Sequence, residues 1–329
     1  MDDTASSSPL QALHHLGKQR LSELKKLVDQ LIVHMPPRDL VTLLFPPALG
    51  LDLLRGTLSG KAFEEDIFDK DGTDRELMEA VFALALWLSR HYFSTTIHDV
   101  HKFPGGAPCL IVGNHSAGLM PLDALFAMNA IREQWGTDRI VYSLVHDFAY
   151  MAPKVARNAR RMGVLRAKRE NALAALDAGG HVLVYPGGDR DAFRRFADRK
   201  KIVLAQRRGF IRTALQAGVP IVPLVSVGLH EAFFVLSDGQ NLARKLGLKK
   251  ALHTDVMPIS ISFPWGLVPA FAPYIPLPCA IEMQFCDPIV AQGSPDDEAL
   301  VDDIYNRVET VMQQTMDTLY EHRLPLIGR

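Results

Sequence analysis

Apolar residues at helical spacing dominate the first ninety positions of the chain. After a polar leader, one apolar set recurs every three or four residues and predicts an amphipathic helix over residues 15–34: Leu21, Leu24, Val28, Leu31 and Ile32. Pro36 and Pro37 end it, because proline lacks the amide hydrogen that a helix interior needs. A second, more apolar set predicts a more deeply buried helix over residues 74–93. Residues 1–94 are therefore expected to form an N-terminal helical region, with membrane contact among its expected roles.

From about residue 95 the pattern changes to short apolar runs that alternate with helical spacing. The runs predict strands at 95–101, 109–112, 140–145, 181–185, 202–205, 220–225 and 281–285. Helical spacing fits the intervening segments 121–134, 169–178 and 207–217. This alternation predicts an α/β domain over residues 95–293, with a mostly parallel central sheet flanked by helices. In the remaining part, residues 294–329, Ser294 is expected to cap a C-terminal helix that packs on the same domain.

Composition restricts the classes of function. The chain of 329 residues is 48% hydrophobic with a net charge of −1, which favours a sizeable core and argues against nucleic-acid binding. Its three cysteines form no Cys-x-x-Cys pair, so we expect a reducing compartment and no metal site. The first twenty residues hold no apolar run typical of a signal peptide.

Two apolar segments fall short of a membrane-spanning helix, which needs about 18 or more apolar residues. Residues 40–54 carry Pro46, Pro47 and Asp52, and residues 256–281 are interrupted by prolines and glycines. Prolines forbid a regular helix there, and unpaired backbone is costly inside lipid. Core packing, a rigid loop and shallow insertion at a membrane interface are all compatible with both segments.

The first candidate for chemistry follows the apolar run 109–112. Gly113 ends that run, Asn114 and His115 follow at once, and Asp123 comes eight residues after His115. Reactive groups in open α/β sheets collect beyond the carboxyl ends of strands, and a histidine oriented there by a carboxylate can act as a general base. The alternative is structural: Asp123 would lie in the first turn of a helix starting at Pro121, where the helix dipole favours an acid.

The second candidate is the segment from Tyr185 to Arg190, which directly follows the apolar run Val182 to Val184. Gly187 and Gly188 would allow a ligand to approach the backbone closely, and the Arg190 guanidinium would suit a phosphate or an oxyanion. An ordinary strand-to-loop turn with a solvated arginine is the alternative.

Two stretches are strongly basic although the chain is nearly neutral. Residues 154–169 hold seven Lys or Arg and no acid, and residues 190–212 hold nine against two aspartates. A positive surface beside a base suits a phosphorylated donor or an anionic lipid, whereas a solvated basic face is the ordinary alternative. The second stretch includes Arg207 and Arg208, and it leads into Val219 to Pro223, where Pro223 predicts an edge strand or a bulge.

Taken in order, four blocks resemble the glycerolipid acyltransferase superfamily of the lysophosphatidic acid acyltransferase type. The matching blocks are Asn114-His115 with Asp123, Gly163 to Arg169, Tyr185 to Arg190, and Val219 to Pro223. The chain differs from the usual pattern at two points: the His-to-Asp spacing is three residues longer, and Gly187 stands in place of a glutamate. In both points it resembles the diacylglycerol and monoacylglycerol acyltransferase type 2 branch and its bacterial relatives. Pro186-Gly187-Gly188 and Arg207-Arg208-Gly209-Phe210 are typical of that branch.

The resemblance implies an O-acyltransferase that moves a fatty acyl group from acyl-CoA to a lipid hydroxyl. His115 would be the general base, Asp123 its orienting carboxylate, and Arg190 or backbone amides near Gly187 and Gly188 would stabilise the oxyanion. The residues implied in substrate binding are Asn114, Arg169, Gly187, Gly188, Arg207 and Arg208. No metal or bound cofactor is implied.

The implied partners are acyl-CoA, a lipid acceptor and a membrane surface, with the protein peripheral or monotopic on the cytoplasmic side. Lysophospholipid, mono- or diacylglycerol and long-chain alcohol are all open as acceptors. The alternatives are a thioesterase or lipid hydrolase with the same base, and a non-catalytic lipid-binding protein that keeps the fold.

Overall fold

The computed structural model describes most of the chain from residue 72 onward and one long helix before it. The described residues are 9–35, 39, 52, 68–69, 72–116, 118, 120–136, 138, 140–150, 152–249, 254–263, 265–269 and 275–328. Apart from Asp52, the apolar segment 40–54 lies outside them, as does part of the segment 256–281.

A seven-stranded sheet forms the centre of the molecule. Its strands are β1 (Thr96–His98), β2 (Leu110–Gly113), β3 (Val141–Val145), β4 (Val164–Arg166), β5 (His181–Val184), β6 (Ile221–Val227) and β10 (Glu282–Phe285). They are arranged in the order β1-β10-β6-β2-β5-β3-β4, and only the β10–β6 pair is antiparallel. The predicted fold class, a mostly parallel sheet flanked by helices, is confirmed.

Helices cover the sheet and connect its strands. The longer ones are α1 (Pro9–His34), α2 (Arg75–His91), α3 (Leu122–Trp135), α5 (Pro153–Arg161), α6 (Arg169–Asp177), α8 (Gly209–Ala217) and α11 (Glu298–Tyr320). Short helices are α4 (Asp147–Tyr150), α7 (Asp189–Ala192), α9 (Leu229–Ala232) and α10 (Gln240–Lys245). α1 begins six residues before the predicted start of 15, and α3 begins just after Pro121, as predicted.

Alternate residues of the central strands enter two hydrophobic cores, as side chains of a strand buried on both faces must. On β2, Leu110 and Val112 join the core that holds α6, α8 and α11, whereas Ile111 joins the core that holds α2 and α3. α11 therefore packs directly on the sheet through its buried face, which includes Val308 and Met312.

A second, smaller sheet was not predicted. It consists of β7 (Phe234–Ser237), β8 (Ile259–Ser262) and β9 (Gly266–Pro269), all antiparallel. The chain reaches it directly from the carboxyl end of β6 through α9, so it lies at the edge of the main sheet where β2 also ends.

Three local predictions need correction. Residues 202–205 form no strand: Ile202 and Leu204 are buried in the core, but the Ile202 amide donates to Gln313 Oε1 (2.8 Å) on α11 and Ala205 has a positive φ of 54°. The alternating apolar pattern of residues 202–205 arises because two side chains of a loop, Ile202 and Leu204, are buried in the core.

Pro223 does not lie in an edge strand, because β6 pairs with both β2 and β10. The predicted bulge lies on the segment that pairs with β6 and not on β6 itself. Leu224 pairs with Phe285 and Ile221 with Ile289, so residues 285–289 contain one extra residue opposite Pro223.

The C-terminal helix is capped by Asp297, whose carboxylate accepts from the Leu300 amide (3.1 Å), and not by Ser294. Ser294 instead closes the preceding turn by accepting from the Asp296 amide (3.2 Å).

Candidate active site

The predicted chemical residues lie at the carboxyl edge of the main sheet, where β2, β5 and β6 end. Asn114 follows β2 and is fully buried; its side chain donates to Ser226 O (2.9 Å) and accepts from Ser226 N (2.8 Å) on β6. The Asn114 amide thus acts as a backbone-like bridge between two strand ends. It fixes the start of the loop that carries His115, and its role in substrate binding stays a prediction.

His115 and Asp123 form a hydrogen-bonded pair. The distance from His115 Nδ1 to Asp123 Oδ2 is 2.7 Å, and the Asp123 side chain is 0% exposed. The same carboxylate accepts from the amides of Ser116 (3.0 Å) and Ala124 (2.9 Å). The longer spacing is accommodated by a turn at Gly118, whose φ of 57° is in the left-handed region that favours glycine.

The surroundings of His115 favour its protonated form. Burial acts to lower the pKa of the imidazole, but the charge of Asp123, its hydrogen bond, the charge of Asp191 and the Gly118 carbonyl together raise that pKa above 6.5. With Nδ1 held by the carboxylate, Nε2 is the nitrogen left to exchange a proton. The pair has the geometry of an oriented general base.

Asp191, which sequence reasoning missed, also contacts His115. Its carboxylate accepts from the His115 backbone amide (2.6 Å) and pairs with the buried Arg194 guanidinium, which in turn lies 2.9 Å from His230 Nε2. Burial raises the pKa of Asp191 to about 6, although Arg194 and the His115 amide act to lower it. The available signal was its position one residue after the Tyr185 to Arg190 block.

Tyr185 lies against the imidazole. The two ring centroids are 5.0 Å apart with an interplanar angle of 31°. A side chain at Gly113 would collide with the Tyr185 ring, so the glycine that ends β2 is what allows this packing. Among the described residues, the buried Tyr185 hydroxyl has no hydrogen-bond partner, and neither has the buried Ser116 hydroxyl beside His115.

The two glycines after β5 allow close packing of the loop within the protein. A side chain at Gly187 would collide with the Val203 carbonyl oxygen and with Asp191. Gly188 has a φ of 56°, and a side chain there would meet Arg207, which donates to Pro186 O (2.9 Å). These contacts explain both glycines without a ligand.

The predicted basic residues divide into two places. Arg190 and Arg207 lie at the turn beside the site: Arg190 pairs with Asp255 (2.9 Å) and Arg207 with Asp189 (3.4 Å). Arg208 instead pairs with Asp302 on α11 and lies over the Tyr305 ring. Arg169 donates to the Arg212 carbonyl oxygen (3.4 Å). The structure therefore places Arg190 and Arg207 at the turn after β5, and Arg208 at the C-terminal helix.

The described residues hold neither a metal cluster nor a membrane-spanning helix. No group of three or more His, Cys, Asp or Glu side chains in the described part of the chain is arranged to hold a metal ion. Within that same part, no helix combines the length and the apolar character needed to cross a membrane.

Comparisons with known proteins identify the family. An uncharacterized protein of Mycobacterium tuberculosis is 29% identical over 292 residues, 87% of this chain and 77% of the relative. The human protein named DGAT1/2-independent enzyme synthesizing storage lipids is 31% identical over 139 residues, 42% of this chain and 41% of that protein. Among solved structures, the 1-acyl-sn-glycerophosphate (LPA) acyltransferase PlsC of Thermotoga maritima is similar at 14% identity and a TM-score of 0.48, covering 92% of this chain and 97% of that one. The family model described as diacylglycerol acyltransferase matches residues 61–323, well over half of the chain, and the chain therefore belongs to the diacylglycerol acyltransferase family.

Proposed function

We propose that the protein transfers a fatty acyl group from acyl-CoA to the hydroxyl of a lipid, with His115 as the general base. The observation that carries the proposal is the 2.7 Å contact between His115 Nδ1 and the buried Asp123 carboxylate at the end of a central strand. Membership of the family supports acyl transfer as the reaction class. The donor, the acceptor and the base are the parts that we add.

The reaction needs one base that returns its proton. His115 Nε2 takes the proton from the acceptor hydroxyl as the oxygen attacks the thioester carbonyl carbon. The tetrahedral intermediate then expels the CoA thiolate as the carbon–sulfur bond breaks, and the imidazolium returns the proton to that sulfur. Asp123 stabilises the imidazolium and holds Nδ1 protonated, as the carboxylate of hydrolase triads does. No covalent acyl-enzyme is needed.

The developing oxyanion requires a donor that is not already used. The Gly188 amide already donates to Tyr185 O (3.0 Å). The Arg190 side chain is half-exposed and pairs with Asp255 through one nitrogen, so its remaining N–H groups suit a phosphate at the mouth of the site better than an oxyanion beside His115. The Tyr185 hydroxyl lacks a partner among the described residues and belongs to a ring that packs on His115. We assign Tyr185 to hold a substrate oxygen and Asp191 to position the His115 backbone.

Arg190 and Arg207 are proposed to meet the phosphates of acyl-CoA at the mouth of the site, since guanidinium groups are suited to phosphate. Arg169 and Arg208 lie near the C-terminal helix and form a separate basic face. We propose a peripheral position on the cytoplasmic side of a membrane, where the acceptor lipid and acyl-CoA meet.

A single panel assay tests this function. Purified protein is given labelled acyl-CoA with lysophospholipid, monoacylglycerol, diacylglycerol or long-chain alcohol, and the products are separated by lipid class. The proposal expects an ester product with at least one acceptor and little free fatty acid without one. Equal thioester consumption with and without acceptors would identify a thioesterase instead. Product at the level of the no-enzyme background with both wild type and His115→Ala would favour a non-catalytic lipid-binding role.

A further inference from the structure

The small β7–β8–β9 sheet exposes an unusually apolar outer face. Six large apolar side chains on this sheet and its margins are 50–67% exposed: Leu236, Ile261, Phe263, Trp265, Leu267 and Ile275. Four of them point to one face, because Ile261 pairs with Leu267 across β8 and β9, and Phe263 pairs with Ile275. Leu236 lies on β7, and Trp265 lies in the turn between β8 and β9. Directly paired residues of an antiparallel sheet point to the same face. We call these six residues the apolar face.

The strand β8 is inverted relative to a sheet that faces water. Ser260 and Ser262 point inward and are buried, and their hydroxyls have no hydrogen-bond partner among the described residues. Ile261 and Phe263, at the alternate positions, point outward. A sheet with one solvated face normally places its apolar side chains inward and its polar ones outward. This inversion indicates that the outer face meets an apolar medium when the protein works.

The inner side of this sheet is fixed to the candidate active site. Val235 and Val256 pack with Phe193 and with Met120 of the His115 loop. Asp189 accepts from the Thr254 hydroxyl (2.9 Å) and the Asp255 amide (2.8 Å), just before β8. The apolar face therefore lies one layer outside the loops that carry His115 and Asp191.

Basic residues that follow β7 closely in the chain indicate the kind of surface that the apolar face meets. Helix α10 begins three residues after β7, and residues 240–253 contain four Lys or Arg and no acid. On this segment Leu242 and Leu246 are also exposed, with Arg244 and Lys245 beside them. Aromatic and aliphatic side chains with adjoining cations are the composition that binds the interface of an anionic bilayer. A purely apolar protein partner would not account for the cations.

We propose that the apolar face docks on the surface of an anionic phospholipid bilayer and presents the His115 site to acceptor lipids held in that bilayer. This inference rests on the proposed function for the identity of the acceptor, but the docking itself is measurable without any turnover. Trp265, at the turn between β8 and β9, is the natural reporter because tryptophan settles at the headgroup level of membranes.

The test uses a protein with Trp265 as its single tryptophan, made by W87F and W135F, since the chain holds three tryptophans. Vesicles contain phosphatidylcholine and phosphatidylglycerol in equal parts, with or without brominated acyl chains. We expect the Trp265 emission to shift to the blue on vesicles and to be quenched by the brominated chains. The matched control keeps only Trp135, which is 39% exposed on α3, and should show neither effect.

Substitutions then test the two parts of the surface. The double variant F263N and L267N should weaken vesicle binding about a hundredfold, at about tenfold for each large side chain that no longer enters the interface. The double variant R244E and K245E should weaken binding to anionic vesicles and leave binding to pure phosphatidylcholine unchanged. The control V33N alters a side chain of α1 that is 78% exposed and should leave binding unchanged.

Several results would overturn the docking proposal. Vesicle binding without quenching of Trp265, or a loss of binding in V33N alone, would place the membrane contact elsewhere on the chain. A blue shift that follows protein concentration without vesicles would show that a second copy covers the apolar face. Absence of vesicle binding would also refute it.

The assay separates this proposal from the proposed function. The F263N and L267N variant should lose acyl transfer to acceptors in vesicles but keep wild-type transfer to a short-chain, water-soluble alcohol. If wild type transfers acyl groups to neither acceptor while Trp265 is still quenched, the proposed function fails and the docking surface stands.

Discussion

Replacing Asp123 by asparagine tests the geometry of the pair that Asp123 forms with His115, because both oxygens of the Asp123 carboxylate accept hydrogen bonds within the protein. Oδ2 accepts from His115 Nδ1 and from the Ser116 amide, and Oδ1 accepts from the Ala124 amide. An asparagine has one acceptor and one donor group, so it cannot satisfy both sides. Either orientation produces a defect that the structure specifies.

In one orientation the amide oxygen faces His115, and the NH2 group opposes the Ala124 amide. A buried donor without an acceptor costs about 1–3 kcal/mol in the free energy of unfolding. In the other orientation the NH2 group donates to Nδ1, so the proton moves to Nε2 and the imidazole can no longer accept one from the substrate. Both orientations also remove the carboxylate charge that stabilises the imidazolium, and general-base catalysis contributes about 10²–10⁴-fold, so we expect Asp123→Asn to lower kcat by at least about a hundredfold.

The assay is kcat for acyl transfer together with thermal unfolding of the same samples. Asp287→Asn is the control, because the Asp287 side chain is 83% exposed and its ion pair with Lys102 is of the surface kind worth up to about 1 kcal/mol. It should change neither the rate nor the stability. An Asp123→Asn protein with a rate within about tenfold of wild type would refute the assigned role, since such a loss is below the range of general-base catalysis.

Three further predictions follow from the same contacts. The acid limb of the kcat/KM profile should lie above pH 6.5, because His115, with its raised pKa, is protonated and cannot act as a base below that pKa. Removing the Asp123 charge should move the limb to lower pH. A limb below pH 6.5 in wild type would contradict this prediction. The free energy of unfolding of wild type in urea should rise as the pH falls through about 6, because burial raises the pKa of Asp191 to about 6 and only the folded state takes up that proton. Asp191→Asn has no carboxylate to protonate and should lack this gain; an equal change in the free energy of unfolding of both proteins on going from pH 7.5 to about pH 5 would show that the Asp191 charge is not involved. Gly187→Ala should lower the melting temperature, because the added Cβ overpacks against Val203 and costs about 1–3 kcal/mol in the free energy of unfolding. Gly209→Ala is the control, since a Cβ there meets no atom and should leave the melting temperature unchanged. Equal melting temperatures for the two variants would contradict the close contact at Gly187.

Sequence patterns located the parts of the fold that obey local rules. The sequence placed Gly113 at the end of an apolar run and Asp123 in the first turn after Pro121. These two positions were enough to predict that Gly113 and Asp123 lie at the same edge of the sheet. Apolar periodicity likewise found α2 and the long C-terminal helix, since both bury one continuous stripe. The edge strand β4 was not predicted, because its apolar run is only Val164 and Leu165 and basic residues follow from Arg166 onward.

Other features depend on long-range contacts that no local pattern encodes. The alternation of isoleucine and serine in β8 predicts a strand only if isoleucine points to the outer face and serine to the buried face. This is the reverse of the usual arrangement. Asp191 was one acid in a basic stretch until the fold placed it under the His115 amide. Asn114 was predicted at the site, but its pairing with Ser226, 112 residues away, could not be foreseen from spacing.

The central claim, that His115 transfers a proton during acyl transfer to a lipid hydroxyl, is tested most directly by one rate. Labelled acyl transfer from acyl-CoA to the best acceptor of the panel is measured for wild type and His115→Ala, with circular dichroism to verify the fold of both. The account predicts that the variant keeps its fold and loses at least about a hundredfold in kcat. Equal rates for the two proteins would contradict it.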